Sequence, residues 1–81
     1  LYVNNNNLTD ISSLPSLTGL EELRLRGNHI VDISPISSLT RIVYLDLSNN
    51  KIIDISAIAK LTELSILDLS GNNQASELLS L

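Results

Sequence analysis

The chain has no cysteine, methionine, tryptophan or phenylalanine, and only one histidine, two prolines, two tyrosines and three glycines in 81 residues. Each shortage excludes something. Without cysteine there is no disulfide framework, thiol nucleophile or zinc finger. One imidazole cannot build a histidine-rich metal site. Five Lys and Arg against nine Asp and Glu leave a net charge of −4, which argues against a general affinity for nucleic acid or an anionic membrane. No apolar run approaches the roughly 18 residues of a membrane span, and no charged start with an apolar core and cleavage site marks a signal peptide. Gly19, Gly27 and Gly71 stand in no G-x-x-x-x-G-K arrangement. No residue is therefore assigned a catalytic, cofactor-binding or metal-binding role, and no small-molecule substrate is expected.

What remains is aliphatic and repetitive. Seventeen Leu, ten Ile, twelve Ser and nine Asn make up more than half of the chain. Such apolar content is too high for disorder. Shifting the sequence by 22 residues superposes it on itself. Leu1, Leu23, Leu45 and Leu67 form one column; Val3, Leu25, Leu47 and Leu69 another. Five further columns pass through Leu20, Ile30, Ile33, Ile36 and Leu39, and all 23 positions of the seven columns are Leu, Ile or Val. Polar columns repeat as well: Asn6, Asn28, Asn50 and Asn72; Asp10, Asp32 and Asp54; Ser12, Ser34 and Ser56; Thr18, Thr40 and Thr62.

The pattern dictates a shape. Leu23-Arg24-Leu25 and its equivalents alternate inward and outward, the period of a strand. Identical units joined in one direction pair in parallel, about 4.8 Å apart. Ile33, Ile36 and Leu39 recur every three residues, the period of a short 3₁₀ helix. Ser34 before Pro35 reads as an N-cap, with Ser12 and Ser56 in the same role. The Asp column reads as local capping of the following turn, because one carboxylate per layer cannot supply calcium's many oxygen ligands. The Asn column sits where the chain leaves the strand. A carboxamide there can tie its own turn to the next repeat, so Asn6, Asn28, Asn50 and Asn72 are read as a buried structural ladder. His29 shares a turn column with Asn7, Lys51 and Asn73 and reads as a solvent-exposed turn residue.

The unit L-x-x-L-x-L-x-x-N-x-I-x-D-I-S-x-I-x-x-L-T-x, typified by residues 20–41, resembles a leucine-rich repeat. Its D-I-S and L-T elements resemble those of the internalins, bacterial surface proteins. The resemblance implies an α/β-type right-handed solenoid, with short parallel strands on the concave face and 3₁₀ helices or turns on the convex face. It also implies a non-enzymatic module that binds a protein, or a glycan, at a bacterial cell surface or after secretion. The alternative is an intracellular regulatory scaffold resembling the leucine-rich regulatory subunit of protein phosphatase 1, in the cytoplasm. Residues 1–81 divide into a partial repeat (1–19), two full repeats (20–41 and 42–63) and a partial or terminal repeat (64–81). The register fails after Asn73, and the expectation is a piece of a longer array lacking its N-terminal cap.

Outward strand residues would form the binding face. The register names Glu22, Tyr44 and Ile66; Tyr2, Arg24, Asp46 and Asp68; Asn4 and Arg26, which align with Ser48 and Ser70. Arg24 is expected to pair with Asp46 across one strand gap and to stack on Tyr2. Tyr44 beside Ile66 is expected to make a small apolar spot.

Overall fold

The computed structural model describes residues 1–72; the register failure after Asn73 lies outside them. Three strands, β1 (Glu22–Arg24), β2 (Tyr44–Asp46) and β3 (Ile66–Asp68), alternate with three 3₁₀ helices, η1 (Leu14–Ser16), η2 (Ser34–Ser38) and η3 (Ser56–Lys60). The strands form one parallel sheet in the order β1-β2-β3. Register is set by the 22-residue period: Glu22 pairs with Tyr44 and Tyr44 with Ile66. A single parallel bridge from Tyr2 to Arg24 adds a fourth rung. The result is an open solenoid, with strands on one side and 3₁₀ turns on the other.

The three-residue spacing of the return leg has a direct physical meaning. Ile36 N–H donates to Ile33, Leu39 to Ile36 and Ile42 to Leu39, at 3.0, 3.0 and 3.2 Å. The same chain of bonds runs from Ile11 to Leu20 and from Ile55 to Leu64. Each residue that donates to the carbonyl three back is also an apolar column position, so hydrogen bonding and burial share one period. Leu23, Leu25, Ile30, Ile33, Ile36, Leu39, Ile42, Leu45, Leu47 and Ile52 lie in the core with almost no exposure. Exposure grows toward both ends of the described stack. Val3, Leu8, Leu14, Leu20, Ile55, Ile58, Leu64 and Leu67 are half-buried, while Leu1 and Leu17, also inward by register, are exposed. No rung covers them among the described residues.

Two expectations are corrected at the polar columns. The serines do not cap: no 3₁₀ helix has a side-chain N-cap bond. Ser34 and Ser56 are the first helical residues instead. Asp10, Asp32 and Asp54 act one step earlier, each accepting from the backbone N–H two residues on, at Ser12, Ser34 and Ser56. The carboxylate is the better acceptor and its geometry is local. These bonds, to backbone and hydroxyl, hold Asp10 and Asp54 below the ordinary carboxylate range.

The ladder, second, points backwards. Asn28 Nδ2 donates to its own Leu25 carbonyl and to Val3 in the preceding rung, while its Oδ1 accepts from Asn6 and Leu8 N–H. Asn50 donates to Leu47, Ser48 and the preceding Leu25, and accepts from Ile30. Asn72 repeats this with Leu69, Leu47 and Ile52. Each carboxamide thus joins its turn to the previous rung, and the carbonyls of Leu25 and Leu47 each receive two amides. Asn6 departs from the expectation. It is exposed and its side chain donates only to Asn4, because no earlier rung offers it carbonyls among the described residues.

One column escaped the sequence reading. Asn5, Gly27, Asn49 and Gly71, 22 residues apart, all have φ between 56° and 74°. A left-handed residue is needed where the chain turns off the strand, and only Gly and Asn accept it readily. The alternation is steric. A Cβ on Gly27 would sit 2.1 Å from Asn5 Oδ1, and one on Gly71 would sit 2.1 Å from Asn49 Oδ1. Each asparagine side chain lies where the next rung's Cβ would be, so the next rung carries glycine.

Three outcomes follow. Asn50→Ala leaves several buried backbone groups unpaired and should cost roughly 2–4 kcal/mol, seen as a fall in Tm, whereas Asn6→Ala should change Tm little. Gly71→Ala should destabilise through both strain and overlap; adding Asn49→Gly should restore part of the loss, leaving a backbone cost of about 1 kcal/mol. Finally, a depressed Asp54 pKa contributes stability above the ordinary value of about 3.9, lost as pH falls through the lower folded value. Asp54→Asn keeps a capping oxygen but no charge. The Tm gap between wild type and this variant should therefore be widest above pH 5 and shrink as pH falls below about 4.

Candidate functional site

The outward side chains of β1–β3, with those of the Tyr2 rung, make one surface. Strand alternation puts Leu23 and Leu25, Leu45 and Leu47 inside, and so turns Glu22, Arg24 and Arg26 to the other side. Tyr2, Asn4, Arg26, Ile66 and Asp68 are exposed, while Glu22, Arg24 and Tyr44 are half-buried. Asp46 is buried, at 8 % relative exposure, together with Ser48 at 2 %.

Arg24 is the centre of the arrangement. Its Nε donates to Glu22 Oε2 at 2.5 Å, the one ion pair among the described residues. Tyr2 donates its hydroxyl to the same oxygen at 2.8 Å. The guanidinium carbon lies 4.9 Å from the Tyr2 ring centroid and 4.4 Å from that of Tyr44, both within cation–π range. The Arg24 guanidinium first, and the Tyr2 hydroxyl second, hold the Glu22 carboxyl below its ordinary range; the same bond raises Arg24 further. The Tyr2 phenol is likewise raised, chiefly because it donates to Glu22.

The expected Arg24–Asp46 pair does not form. Asp46 turns along its own strand and accepts from Ser48 N–H at 3.0 Å and from Ser48 Oγ at 2.6 Å. Asp68 does the same with Ser70, and its carboxyl is held down first by the Ser70 hydroxyl and then by its N–H. A neighbouring hydroxyl and amide, fixed two residues away, satisfy the carboxylate without ordering a long arginine. Tyr44 and Ile66 are register neighbours as expected, but Tyr44 lies under Arg24 rather than forming a purely apolar spot.

These bonds reveal a rule that the sequence reading passed over. Rungs two and three read L-D-L-S (45–48 and 67–70), and the aspartate pairs with the serine in both. The first complete rung reads L-R-L-R at the same positions, 23–26. Its backbone still needs a partner at position 26, and Asn4 supplies it: Arg26 N–H donates to Asn4 Oδ1 at 2.9 Å. The repetition of D-x-S in two rungs and its absence in a third was the available signal. Asn4 therefore has a structural bond, and Arg26 is free of ion pairs among the described residues.

Elsewhere the surface offers less. An open cleft at the strand entrance is lined by Glu21, Arg41, Val43, Glu63 and Ser65. Among the described residues no group of three His, Cys, Asp or Glu is placed to hold a metal ion. No described helix is long and apolar enough to cross a membrane.

Known proteins match this geometry closely. The family described as "Leucine Rich repeats (2 copies)" matches residues 1–38, 18–60 and 40–81. An internalin, InlF, from Listeria monocytogenes superposes with a TM-score of 0.89 at 44 % identity, covering 90 % of this chain and 22 % of its own. Internalin C2 from the same organism gives 0.85 at 32 % identity, covering 89 % of this chain and 33 % of its own. The BIR3–SERK2 complex from Arabidopsis thaliana gives 0.72 at 30 % identity, covering 90 % and 43 %. The chain thus spans between about a fifth and a half of these proteins. No curated protein matches it in sequence. The repeating register, the asparagine recurring in every rung and these matches agree: the chain belongs to the leucine-rich repeat family, and its repeats are of the internalin type.

Proposed function

We propose that this chain is a segment of a non-enzymatic protein-interaction domain that recognises a partner through the outer, concave face of its sheet. The single observation that carries the reading is the contrast between columns. Core columns are uniformly aliphatic, whereas the outward columns change from rung to rung (Glu22, Tyr44 and Ile66 in one, Tyr2 and Arg24 before Asp46 and Asp68 in another), with only the Asp-x-Ser pair of the last two rungs recurring. Stacking constrains the first set and leaves the second free to differ.

Tyr2, Glu22, Arg24 and Tyr44 supply a preordered patch of the residue types that dominate binding energy at interfaces. Little side-chain entropy is lost when a partner meets an arginine already stacked and bonded. Tyr2, Asn4, Glu22, Arg24, Arg26, Tyr44, Asp46, Ile66 and Asp68 form the face, with Asp46 contributing mainly to its rigidity. A solved complex of a similar repeat protein, BIR3 with SERK2, supports a protein partner. The internalin likeness supports a bacterial cell-surface setting.

Four strands span only about 15–20 Å, less than a standard interface of about 800 Å² per partner demands. These residues therefore contribute a share of a larger surface. The test is selection of binders to the immobilised chain from a displayed peptide library. Tyr44→Ala or Arg24→Asp should weaken the selected binders about tenfold or more, read as Kd by titration. Lys51→Ala and Lys60→Ala, on the turn side, should not. Binders that respond to the lysines alone would place the interaction on the opposite side.

A further inference from the structure

The face carries unlike charge at its two ends, basic on β1 and acidic on β3, with Arg26 acting at long range on the Asp68 carboxyl. The β1 end holds Arg24 and Arg26 two residues apart on one strand, on the same side. Glu22 is occupied by Arg24 Nε and by the Tyr2 hydroxyl. The terminal nitrogens of Arg24, and the whole Arg26 head, have no hydrogen-bond partner among the described residues. The β3 end holds exposed Asp68 beside exposed Ile66. Between them Asp46 is buried and bonded to Ser48, so it makes no ion pair with either arginine and does not extend the acidic end outward. Two strand spacings, about 10 Å, separate the arginine end from Asp68.

The departure of the first rung from L-D-L-S gives the pattern its weight. Aspartate and serine at these positions serve the fold in two rungs. Arginine at both positions in one rung leaves the fold dependent on Asn4 for the amide of residue 26. The Arg26 side chain makes no hydrogen bond or ion pair among the described residues, its charge acting only at longer range on the Asp68 carboxyl. In a solenoid, an outward position that breaks a self-satisfying rule and, like Arg26, makes no bond in return marks recognition.

We propose that the face binds an extended, mixed-charge segment of a protein partner laid across the strands, with an acidic side chain on Arg24 and Arg26 and a basic side chain at Asp68. This rests on the concave-face reading above and adds the chemistry of the partner. A uniform polyanion does not fit: it would meet Arg24 and Arg26 and then run over Asp68, on a chain of net charge −4. Tyr44, on β2 between the two charged ends, and its register neighbour Ile66, beside Asp68 on β3, suit apolar side chains between the ionic ones. In an extended segment of polyproline II form, with three residues per turn, residues three apart lie on one side and about 9 Å from each other, so the acid and the base belong at positions i and i+3.

The test uses the full 81-residue chain and four capped hexapeptides, followed by backbone amide NMR titration. Their central sequences are Glu-Leu-Leu-Lys, Glu-Leu-Leu-Glu, Lys-Leu-Leu-Lys and Gln-Leu-Leu-Gln. The mixed peptide should bind tightest, with shifts at Leu23–Gly27 and at Asp68–Ser70, and should weaken as salt rises. The key variant is Arg24→Asp with Arg26→Ser, which writes the L-D-L-S of the other rungs into the first and so uses residues the fold already accommodates twice. It should weaken the mixed peptide about fivefold or more while the Lys-Leu-Leu-Lys peptide binds as well or better. Dispersed amide signals verify that it folds. If the mixed peptide is no better than the Glu-Leu-Leu-Glu or the neutral one, yet shifts still map to the sheet face, the charge assignment is overturned and the interaction face stands. If no peptide perturbs the sheet face, or shifts centre on Arg41, Lys51 or Lys60, both are overturned.

Discussion

A carboxamide shared between consecutive rungs is the constraint from which the other features descend. Asn28, Asn50 and Asn72 each satisfy groups of their own turn and of the rung before. An unpaired polar group in that buried turn would cost on the order of 1–3 kcal/mol, so the turns must arrive at the same height in every rung. Equal height requires equal length, which is why the 22-residue period runs without insertion from Leu1 to Asn72. Equal length in turn stacks each aliphatic position on its copies. The left-handed residue at 5, 27, 49 and 71 bends the chain into the position from which the next asparagine can reach back. The aliphatic core supplies most of the burial; the ladder decides that the burial takes the form of level, parallel rungs.

Some of this was legible in the residues and some was not, for physical reasons. A core column has one requirement, an aliphatic side chain of suitable size, and the period exposes it at once. Leu25, Ile33, Leu47 and Ile52 all stand where the pattern puts them. The return leg was equally plain, because its burial period and its hydrogen-bond period coincide at three. Polar columns are harder, since one residue type serves several geometries. A serine before a proline has the look of a cap, yet the aspartate two places earlier is the stronger acceptor and takes the amide. An asparagine between two rungs can reach either way, and composition does not reveal which. End effects are invisible to a periodic argument: Asn6, Leu1 and Leu17 match their columns but lack a neighbour that would bury them. The Asn5–Gly27–Asn49–Gly71 column was hidden because its two residue types look unalike, though they share tolerance of positive φ.

The outward face shows the same division. That Glu22, Arg24 and Arg26 share a side follows from alternation alone. Which charges pair does not. Arg24 had Asp46 within a strand spacing and Glu22 on its own strand. Asp46 had a closer and more rigid partner in Ser48, leaving Arg24 to Glu22 and the two tyrosine rings. Local bonds between residues two apart fix short side chains at small entropic cost, whereas a cross-strand pair must immobilise an arginine. The short-range bond wins wherever serine is available, and serine is available in every described rung that carries the aspartate.

Asn4 shows how such a scaffold accommodates a functional residue. The amide at position 26 is satisfied in either of two ways: by an aspartate of its own rung, as at 48 and 70, or by a side chain of the rung before. The second route frees position 24 from any duty to the backbone, and an arginine can then stand there. Because each rung borrows from its predecessor, through the ladder as through Asn4, the stack tolerates a local exception without a change of register. A continuous core fixes the shape, and transferable backbone partners allow single outward positions to be reassigned, which is the condition under which one fold can present many different surfaces.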